Sequence, residues 1–246
     1  MTTCLADLHI HTALSPCAAD DMTPPAIVAR ALAEGLAMIA ICDHNSARNA
    51  AAVQAAAGAR LAVLAGMEIT SAEECHVVGL YPDARAAEAA GARVAELLPE
   101  IEEGYTQFFG EQPVLDARGE MLGHETRALA MATPLDVTAC VALVHRHGGL
   151  AIAAHVDRPS FGVIGQLGMF PDEAGFDGVE LSRHVTPGSA AEARFREYGL
   201  PIVRSSDSHY LDDVGAARSA LRVEQASFAE LAWALRRERD RCITDA

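Results

Sequence analysis

Five short hydrophobic runs in this chain of 246 residues carry histidines and carboxylates at or beside one end. They are DLHIH at 7–11, CDHNS at 42–46, GME at 66–68 followed by His76, AAHVDRP at 153–159 and SSDSH at 205–209. Imidazole nitrogens and carboxylate oxygens are ligands that Zn, Mn and Fe accept in proteins. There are enough of them for more than one ion, and such sites activate water for hydrolysis. The pattern therefore favours a metal-dependent hydrolase.

Spacing within these stretches supports metal binding. His9 and His11 are two apart on a predicted strand, so both side chains face one side and can hold one ion. Asp207 and His209 repeat this spacing. Glu68 ends a very apolar run, where a carboxylate is costly to bury unless it is paired or bound to a metal. That cost favours a functional role for Glu68.

Two further stretches allow more than one interpretation. His44 follows a predicted buried strand, and Asp43 and His44 could bind a metal or simply cap the next helix. Arg158 lies three residues after His155, where its planar guanidinium could clamp phosphate oxygens. The alternative for Arg158 is a salt bridge to Asp157 or to another acidic residue.

Charge and composition narrow the choice of substrate. The formal net charge of −15 repels polyanions, so we expect a small anionic substrate and no long nucleic acid, although a metal pocket could still accept one phosphate end. All 19 basic residues are arginine. Without lysine the chain can form neither a Schiff base nor a carbamylated lysine that bridges two metals.

Cysteine usage and hydropathy indicate the compartment. The six cysteines show no paired spacing, which is typical of reduced thiols and not of a disulfide framework. We find no run of about 18 apolar residues, and the N-terminus lacks the features of a signal peptide. We therefore expect a cytoplasmic protein that does not bind a membrane.

Strand and helix patterns alternate along the chain and predict parallel βα units. The length fits either one large α/β domain or barrel or two small domains, and we take residues 1–246 as a single domain. The predicted strands are 5–11, 38–43, 61–68, 76–81, 150–156, 176–181 and 201–207, and the predicted helices are 24–34, 47–57, 84–98, 135–147, 189–198 and 228–239.

Two features depart from this alternation of strands and helices. Residues 82–134 are too long for an ordinary βα connection, and we interpret them as an insertion that could cover the site. Most of the metal-binding candidates follow their strand, at the end where α/β folds place catalytic groups. His76 instead precedes its strand, so this strand runs in the opposite sense or the imidazole reaches in from a rim.

The motifs DLHIHT, ICDHNS, GMEIT with the following His, AHVDRP and SSDSH resemble, in order, those of the PHP (polymerase and histidinol phosphatase) family of metal-dependent phosphoesterases. The resemblance implies a distorted (β/α)7 TIM-like barrel that holds up to three ions of Zn, Mn or Fe. It implies that the first ion is bound by His9, His11, Glu68 and Asp207, and that Glu68 shares the second with His76 and His155.

The resemblance assigns the third ion to His44, His209 and a residue after the first motif, usually His, Asp or Glu. The spacing before Thr23-Pro24 favours Asp21 for that position, with Asp20 as an alternative and Cys17 as a more distant one. Glu68, Asp207, His209 and Arg158 would be the catalytic residues. Further contacts to the substrate phosphate are expected from Arg183 and His184, which follow the strand that contains Glu180.

The leading hypothesis is hydrolysis of a phosphate ester of a small metabolite, nucleotide or short oligonucleotide by a hydroxide that bridges two ions. Two alternatives stay open. An amidohydrolase also begins with HxH on a barrel strand, but its binuclear form commonly uses a bridging carbamylated lysine, which this chain lacks. A non-catalytic regulatory or interaction domain of the same fold is the other alternative, and the sequence does not indicate an oligomeric state.

Overall fold

The computed structural model describes residues 1–244 of the 246-residue chain. Strands and helices alternate over most of it, as the hydrophobic pattern predicts. The strands are β1 (Thr2–Ile10), β2 (Met38–Ile41), β3 (Ala62–Thr70), β4 (His76–Tyr81), β5 (Pro113–Leu115), β6 (Met121–His124), β7 (Leu150–Ala153), β8 (Gly178–Leu181), β9 (Ile202–Arg204), β10 (Ser219–Val223) and β11 (Cys242–Thr244). The α-helices are α1 (Pro24–Ala33), α2 (Ala50–Ala57), α3 (Ala84–Ala95), α4 (Tyr105–Phe109), α5 (Val137–Arg146), α6 (Val163–Leu167), α7 (Ala190–Arg196) and α8 (Phe228–Arg236).

Nine strands form one sheet in the order β11-β10-β1-β2-β3-β4-β7-β8-β9. Ile10 at the end of β1 pairs with Ser208 after β9, which brings the two sides of the sheet together into a nearly closed barrel. The predicted α/β fold class, a distorted (β/α)7 barrel, is confirmed, and β1–β4 with β7–β9 correspond to the seven predicted strands. The antiparallel strands β10 and β11, which extend the sheet beyond β1, were not predicted.

Strand β4 runs antiparallel to both of its neighbours, β3 and β7. Its first residue, His76, pairs with Thr70, the last residue of β3. The start of β4 therefore lies at the same end of the barrel as the carboxyl ends of the parallel strands. Of the two interpretations of His76, the reversed strand is the correct one.

The first strand contains an irregularity that turns a histidine into the barrel. Consecutive residues of a regular strand face opposite sides. Leu8 nevertheless packs in the inner apolar cluster with Ala40 and Val78, while the next residue, His9, contacts Glu68. Between Asp7 and Ile10 the pairing of β1 with β2 shifts register. Such a shift, as at a β-bulge, re-aims a side chain and lets both neighbours face inward.

The segment 82–134, predicted as an insertion, contains two kinds of structure. Its first helix, α3, packs on the sheet, and Ala87 and Val94 are fully buried in the main core. The rest comprises α4, the two-stranded β5–β6 sheet and a loop that Asn45 holds by donating hydrogen bonds to the carbonyls of Leu129 and Met131. The second part therefore contacts the loop that follows β2. Within residues 1–244, no helix is both long and apolar enough to cross a membrane.

Candidate metal centre

The carboxylate of Glu68, near the end of β3, lies at the centre of the carboxyl-end face and is fully buried. Five imidazoles surround it. One imidazole would be enough to pair with a buried carboxylate, so this cluster indicates a metal site. The nitrogen-to-oxygen distances are 3.4 Å for His9, 3.5 Å for His11, 2.9 Å for His44, 2.8 Å for His76 and 3.2 Å for His155.

Three groups of side chains bring their ligand atoms within 4.8 Å of one another. Glu68 belongs to two of these groups, which is the arrangement of a carboxylate that bridges two ions. The groups are His9, His11, Glu68 and Asp207; then His44, Glu68 and His76; then His11, His44 and His209. Eight of the nine predicted ligands lie in these groups or, like His155, contact Glu68 directly.

Several buried atoms of the centre lack hydrogen-bond partners. Glu68 Oε2 and His76 Nδ1 are both buried, and neither has a partner in the orientation of a hydrogen bond, although Glu68 Oε2 lies 2.9 Å from His44 and His76 Nδ1 lies 2.8 Å from Glu68. Nε2 of His9 lies 3.1 Å from Nε2 of His11. A buried polar atom without a partner is costly, and cations between these atoms would satisfy them. The donor set of imidazole and carboxylate therefore fits divalent Zn, Mn or Fe.

The outer nitrogens of the first two histidines are held by other side chains. His9 Nδ1 lies 3.1 Å from both carboxylate oxygens of Glu180, and His11 Nδ1 lies 2.9 Å from Ser15 Oγ. Partners of this kind fix the tautomer, so that the opposite nitrogen, Nε2, presents its lone pair to an ion. Glu180 also accepts a hydrogen bond from the backbone N–H of His155.

A second buried carboxylate supports the loops around the centre. Asp43 accepts hydrogen bonds from Thr12 and from Ser15 Oγ at 2.6–2.8 Å, and Ser15 Oγ accepts one from the backbone N–H of His44. The supporting roles of Ser15, Asp43 and Glu180 were not assigned from the sequence. The sequence does contain one indication, a polar residue within an apolar run, such as Glu180 in GVEL at 178–181.

Asp207 connects the metal groups with Arg158. Its Oδ1 lies 3.0 Å from His11 Nε2, and its Oδ2 accepts a 2.6 Å hydrogen bond from Arg158. Asp157, the partner named for Arg158 in the alternative interpretation, instead accepts hydrogen bonds from Ser182. Asp207 and His155 have φ values of +51° and +26°, a conformation that costs energy for non-glycine residues and is typical of functional sites.

Electrostatics in the centre favour ionised carboxylates. Burial alone would raise the pKa of Glu68, but the surrounding imidazoles, His76 and His9 foremost, hold it well below its ordinary value. The pKa of Asp207 is likewise well below its usual range, because His9 and His11 outweigh its burial. Burial and the neighbouring His209 and His44 hold the pKa of His11 well below its usual value, so this imidazole is neutral and able to bind a metal.

Three predicted site residues lie elsewhere. Asp21 is exposed and, among the residues that the structure describes, belongs to none of the three groups, because the loop after β1 turns it outward. Cys17, the more distant alternative to Asp21, lies beside the third group instead, with its sulfur 3.2 Å from His44 Nε2. Arg183 is exposed and pairs with Asp213, and His184 is exposed. In this part of the chain, the side chain that reaches the centre is Glu180, which contacts His9.

A cavity of about 180 Å³ opens on the centre between Arg158 and Phe161. A second cavity, of about 310 Å³, adjoins it along His44 and His76 and is mainly apolar. Phe161 borders both and stacks on His76 with ring centroids 4.6 Å apart. The rest of the apolar wall comes from the loop after β1 and from the segment 82–134: Pro16, Cys17, Phe108, Phe109, Leu129 and Ala130.

Comparison with known protein families matches residues 7–161, more than half of the chain, to the PHP domain. The chain belongs to the PHP domain family. A second match assigns residues 189–239 to the PHP-associated region, so this PHP protein resembles the family on both sides of β8. A search of curated proteins gave no match.

Solved structures share the fold of this PHP protein at low sequence identity. The lesion-specific endonuclease Q of Pyrococcus furiosus aligns over 98% of this chain at 16% identity with a TM-score of 0.75, and this chain spans 58% of its length. Another endonuclease Q structure, at 15% identity and a TM-score of 0.72 with the same two coverages, contains a 27-mer duplex with an abasic lesion at the active site. An amidohydrolase from Chromobacterium violaceum aligns over 86% of this chain and 90% of its own at 22% identity, with a TM-score of 0.62.

The chain thus belongs to the PHP domain family and brings together side chains of the kind that hold catalytic metal ions. The family match and the ligand groups leave the reaction and its substrate open. The expectation that the protein binds no long nucleic acid is at odds with the duplex held by endonuclease Q, a distant relative of the same fold.

Proposed function

We propose that this PHP protein is a phosphoesterase that hydrolyses a phosphate ester of a small metabolite, a nucleotide or a short oligonucleotide. The observation that carries the proposal is the position of Glu68, shared by two groups of ligands at the floor of a cavity with Arg158 at its wall. Two or three ions of Zn, Mn or Fe would supply the activated water and the positive charge that a phosphoryl group needs. The protein then binds, orients and encloses the ester.

Arg158 is the cation placed to receive the phosphate. Its side chain is one-third exposed, lines the cavity and is anchored by Asp207. A guanidinium anchored on one side keeps N–H groups on the other for phosphate oxygens. His209 lines the same cavity, and we assign it to the leaving oxygen, either as an acid or through an ion that it binds.

The apolar cavity beside the centre is the proposed pocket for the organic part of the ester. Phe108, Phe109 and Phe161 line it, so a flat ring such as a nucleobase fits its chemistry better than a strongly polar group. Leu129 and Ala130, on the loop held by Asn45, form another part of its wall. We propose that the segment 82–134 covers the active site through these residues.

The test is a screen of phosphate esters with the protein loaded separately with Zn, Mn or Fe. Substrates should include nucleoside monophosphates, nucleoside bisphosphates and short oligonucleotides, together with an aliphatic phosphate such as histidinol phosphate. We expect release of inorganic phosphate from the monoesters and bisphosphates and of nucleotides from the oligonucleotides, fastest from esters that carry a ring, and no release of either by the Glu68→Gln variant purified in parallel. No release from any ester with any of the three metals would contradict the proposal.

A second candidate is cleavage of damaged DNA, which the likeness to endonuclease Q favours. The formal net charge of −15 opposes it, because duplex binding relies on neutralising phosphates with cations. A duplex with one abasic site, added to the metal-loaded protein at low salt, distinguishes the two. Nicking of this duplex without hydrolysis of small esters would favour the nuclease.

Hydrolysis of amides is the less favoured alternative, although a protein of this fold is described as an amidohydrolase. Glu68 is shared by two of the ligand groups, which supports a carboxylate and not a carbamylated lysine as the bridge, and the chain contains no lysine. A purely regulatory role is also less favoured, because the side chains clustered around Glu68 still supply the imidazole and carboxylate donors that metal ions need.

A further inference from the structure

The third group of ligands differs from the other two in its charge. His11, His44 and His209 contribute imidazoles to it and no carboxylate. Among the described residues, Asp20 and Asp21 belong to none of the three groups, and neither does Cys17 as the side chains stand. Of these three, Cys17 is the one whose side chain reaches a histidine of this group. A divalent ion bound only by neutral imidazoles would lack the anionic ligand that the other groups obtain from Glu68 and Asp207.

The side chain that faces this group is the thiol of Cys17. Its sulfur lies 3.2 Å from Nε2 of His44 and also contacts His209. His44 turns its other nitrogen, Nδ1, to Glu68 at 2.9 Å. The two nitrogens of His44 thus face different neighbours, and the one toward Cys17 points away from Glu68, where it could bind a separate ion together with the sulfur.

The backbone holds Cys17 in this place. The N–H of Ala19 donates to the carbonyl of His209, and the N–H of Ala18 donates to the carbonyl of Ser15. Ser15 is itself bonded through its hydroxyl to the N–H of His44. Cys17 therefore sits in a short turn tied directly to both histidines, so little reorganisation is needed to bring all three side chains onto one ion.

We propose that Cys17 is the anionic ligand of the third metal ion, together with Nε2 of His44 and the imidazole of His209. The thiol loses its proton when the ion binds, and a thiolate with two imidazoles is a soft donor set that selects Zn, Fe or Co over Mg and Mn. The inference rests on the proposed multi-metal site and does not depend on the substrate.

Cobalt reports on sulfur coordination directly, so the experiment uses the full-length protein loaded with Co(II). The wild-type protein is compared with Cys17→Ser, with Cys17→Asp, which offers a carboxylate in place of sulfur, and with the matched control Cys242→Ser in β11. The readouts are the number of bound ions and the near-ultraviolet absorption from thiolate-to-Co(II) charge transfer, and neither requires a substrate.

We expect the absorption in wild type and in Cys242→Ser. Cys17→Ser should lose both the absorption and one bound ion, while Cys17→Asp should lose the absorption and keep the ion. Absence of the absorption from wild type, its persistence in Cys17→Ser, or an unchanged ion count in Cys17→Ser would overturn the proposal. Failure of the phosphoesterase hypothesis would look different, because phosphate release would be absent while the absorption remained.

Alkylation of Cys17 gives an independent check. Cys17 is exposed, whereas Cys4, Cys42, Cys75 and Cys140 are buried and Cys242 is intermediate. Peptide mass spectrometry after iodoacetamide treatment should show Cys17 alkylated at least tenfold more slowly in the zinc-loaded protein than in the chelated protein, with Cys242 unaffected by zinc. Equal rates at Cys17 in the two states would contradict zinc coordination by its sulfur.

Discussion

Arg158 donates a 2.6 Å hydrogen bond to Oδ2 of Asp207, while Oδ1 of the same carboxylate lies 3.0 Å from Nε2 of His11. One carboxylate thus has an oxygen toward the cation that we assign to substrate and an oxygen toward the predicted metal ligands. Arg158 is therefore placed to act both by orienting Asp207 and by binding phosphate. Loss of a phosphate contact would leave the ions bound, whereas loss of the orientation of Asp207 would lower the metal content.

Replacing Arg158 with alanine should reduce catalytic efficiency without removing the ions. A charge-assisted contact to phosphate is worth about 1.5–3 kcal/mol, so kcat/KM should fall by about 10- to 150-fold. Lysine at this position should restore little, because it offers a point charge and no planar fork. Steady-state kinetics and elemental analysis on the same samples provide the measurement.

The control for this change is Arg183→Ala, which removes an exposed arginine paired with Asp213 and should leave the kinetics unchanged. If Arg158→Ala retained full efficiency with full metal content, Arg158 would not bind the substrate. If it lost ions in proportion to activity, orientation of Asp207 would be its whole role.

Glu68→Gln should abolish turnover and lower metal occupancy while the protein stays folded. The amide keeps the shape of the side chain but lacks the negative charge that two cations would share. Glu74→Gln is the matched control, since Glu74 is exposed and close in sequence. Elemental analysis and circular dichroism of the three proteins test this, and near-wild-type activity in Glu68→Gln would refute the bridging role.

Glu180→Gln tests a residue that contacts His9 and, among the described residues, belongs to none of the three ligand groups. Loss of the carboxylate should weaken the orientation and basicity of this imidazole, and metal affinity should fall by about 10- to 100-fold. Titration with zinc in the presence of a competing chelator measures the change. The exposed Glu173, on the segment before β8, provides the control Glu173→Gln. Equal affinities in the two variants would show that Glu180 is not a support of the metal site.

Asp7 should impose a distinct pH dependence on stability. It is fully buried, and burial raises its pKa to about 6 despite hydrogen bonds from Ser206 and Gly215. The folded state thus binds this proton more tightly than the unfolded state, whose pKa is near the ordinary value. The stabilisation is complete below about pH 4 and is lost as the pH rises through about 6, a change of about 3 kcal/mol in the free energy of unfolding.

The measurement is urea unfolding of the metal-free protein between pH 4 and 7, compared with Asp7→Asn, which cannot titrate. Glu68 and Asp207 have lowered pKa values and change stability in the opposite direction, so the quantity to follow is the difference between the two proteins. Wild type should lose stability relative to Asp7→Asn as the pH rises. A constant difference would mean that Asp7 is not protonated in the folded state.

The residues at the centre were predictable because each lies beside a strand whose hydrophobic pattern is strong. Glu68 and His155, for example, follow runs too apolar to be anything but buried strands, and the carboxyl ends of such strands meet. Even the reversed strand β4 left a signal, since His76 precedes its apolar run. The strands β10 and β11 were missed because they are short and include polar residues such as Ser219 and Arg222.

The supporting contacts could not be predicted in the same way. Glu180 reaches His9 across 171 positions in sequence, a pairing that depends on barrel closure and on the register shift in β1. The choice between Asp21 and Cys17 depends on the path of one loop, which turns through hydrogen bonds from Ser15 to Thr12 and from Met22 to Ala19. Residue spacing does not encode that path.

At Gly110 the later part of segment 82–134 packs closely against the loop that carries Cys17. Its φ of +83° suits glycine, and a Cβ at this position would lie 2.9 Å from the carbonyl oxygen of Pro16. The two loops therefore cannot be exchanged independently between proteins of this fold. A chimera that receives a foreign segment here must also receive a residue without a side chain at this point, or the first loop will be displaced together with its thiol.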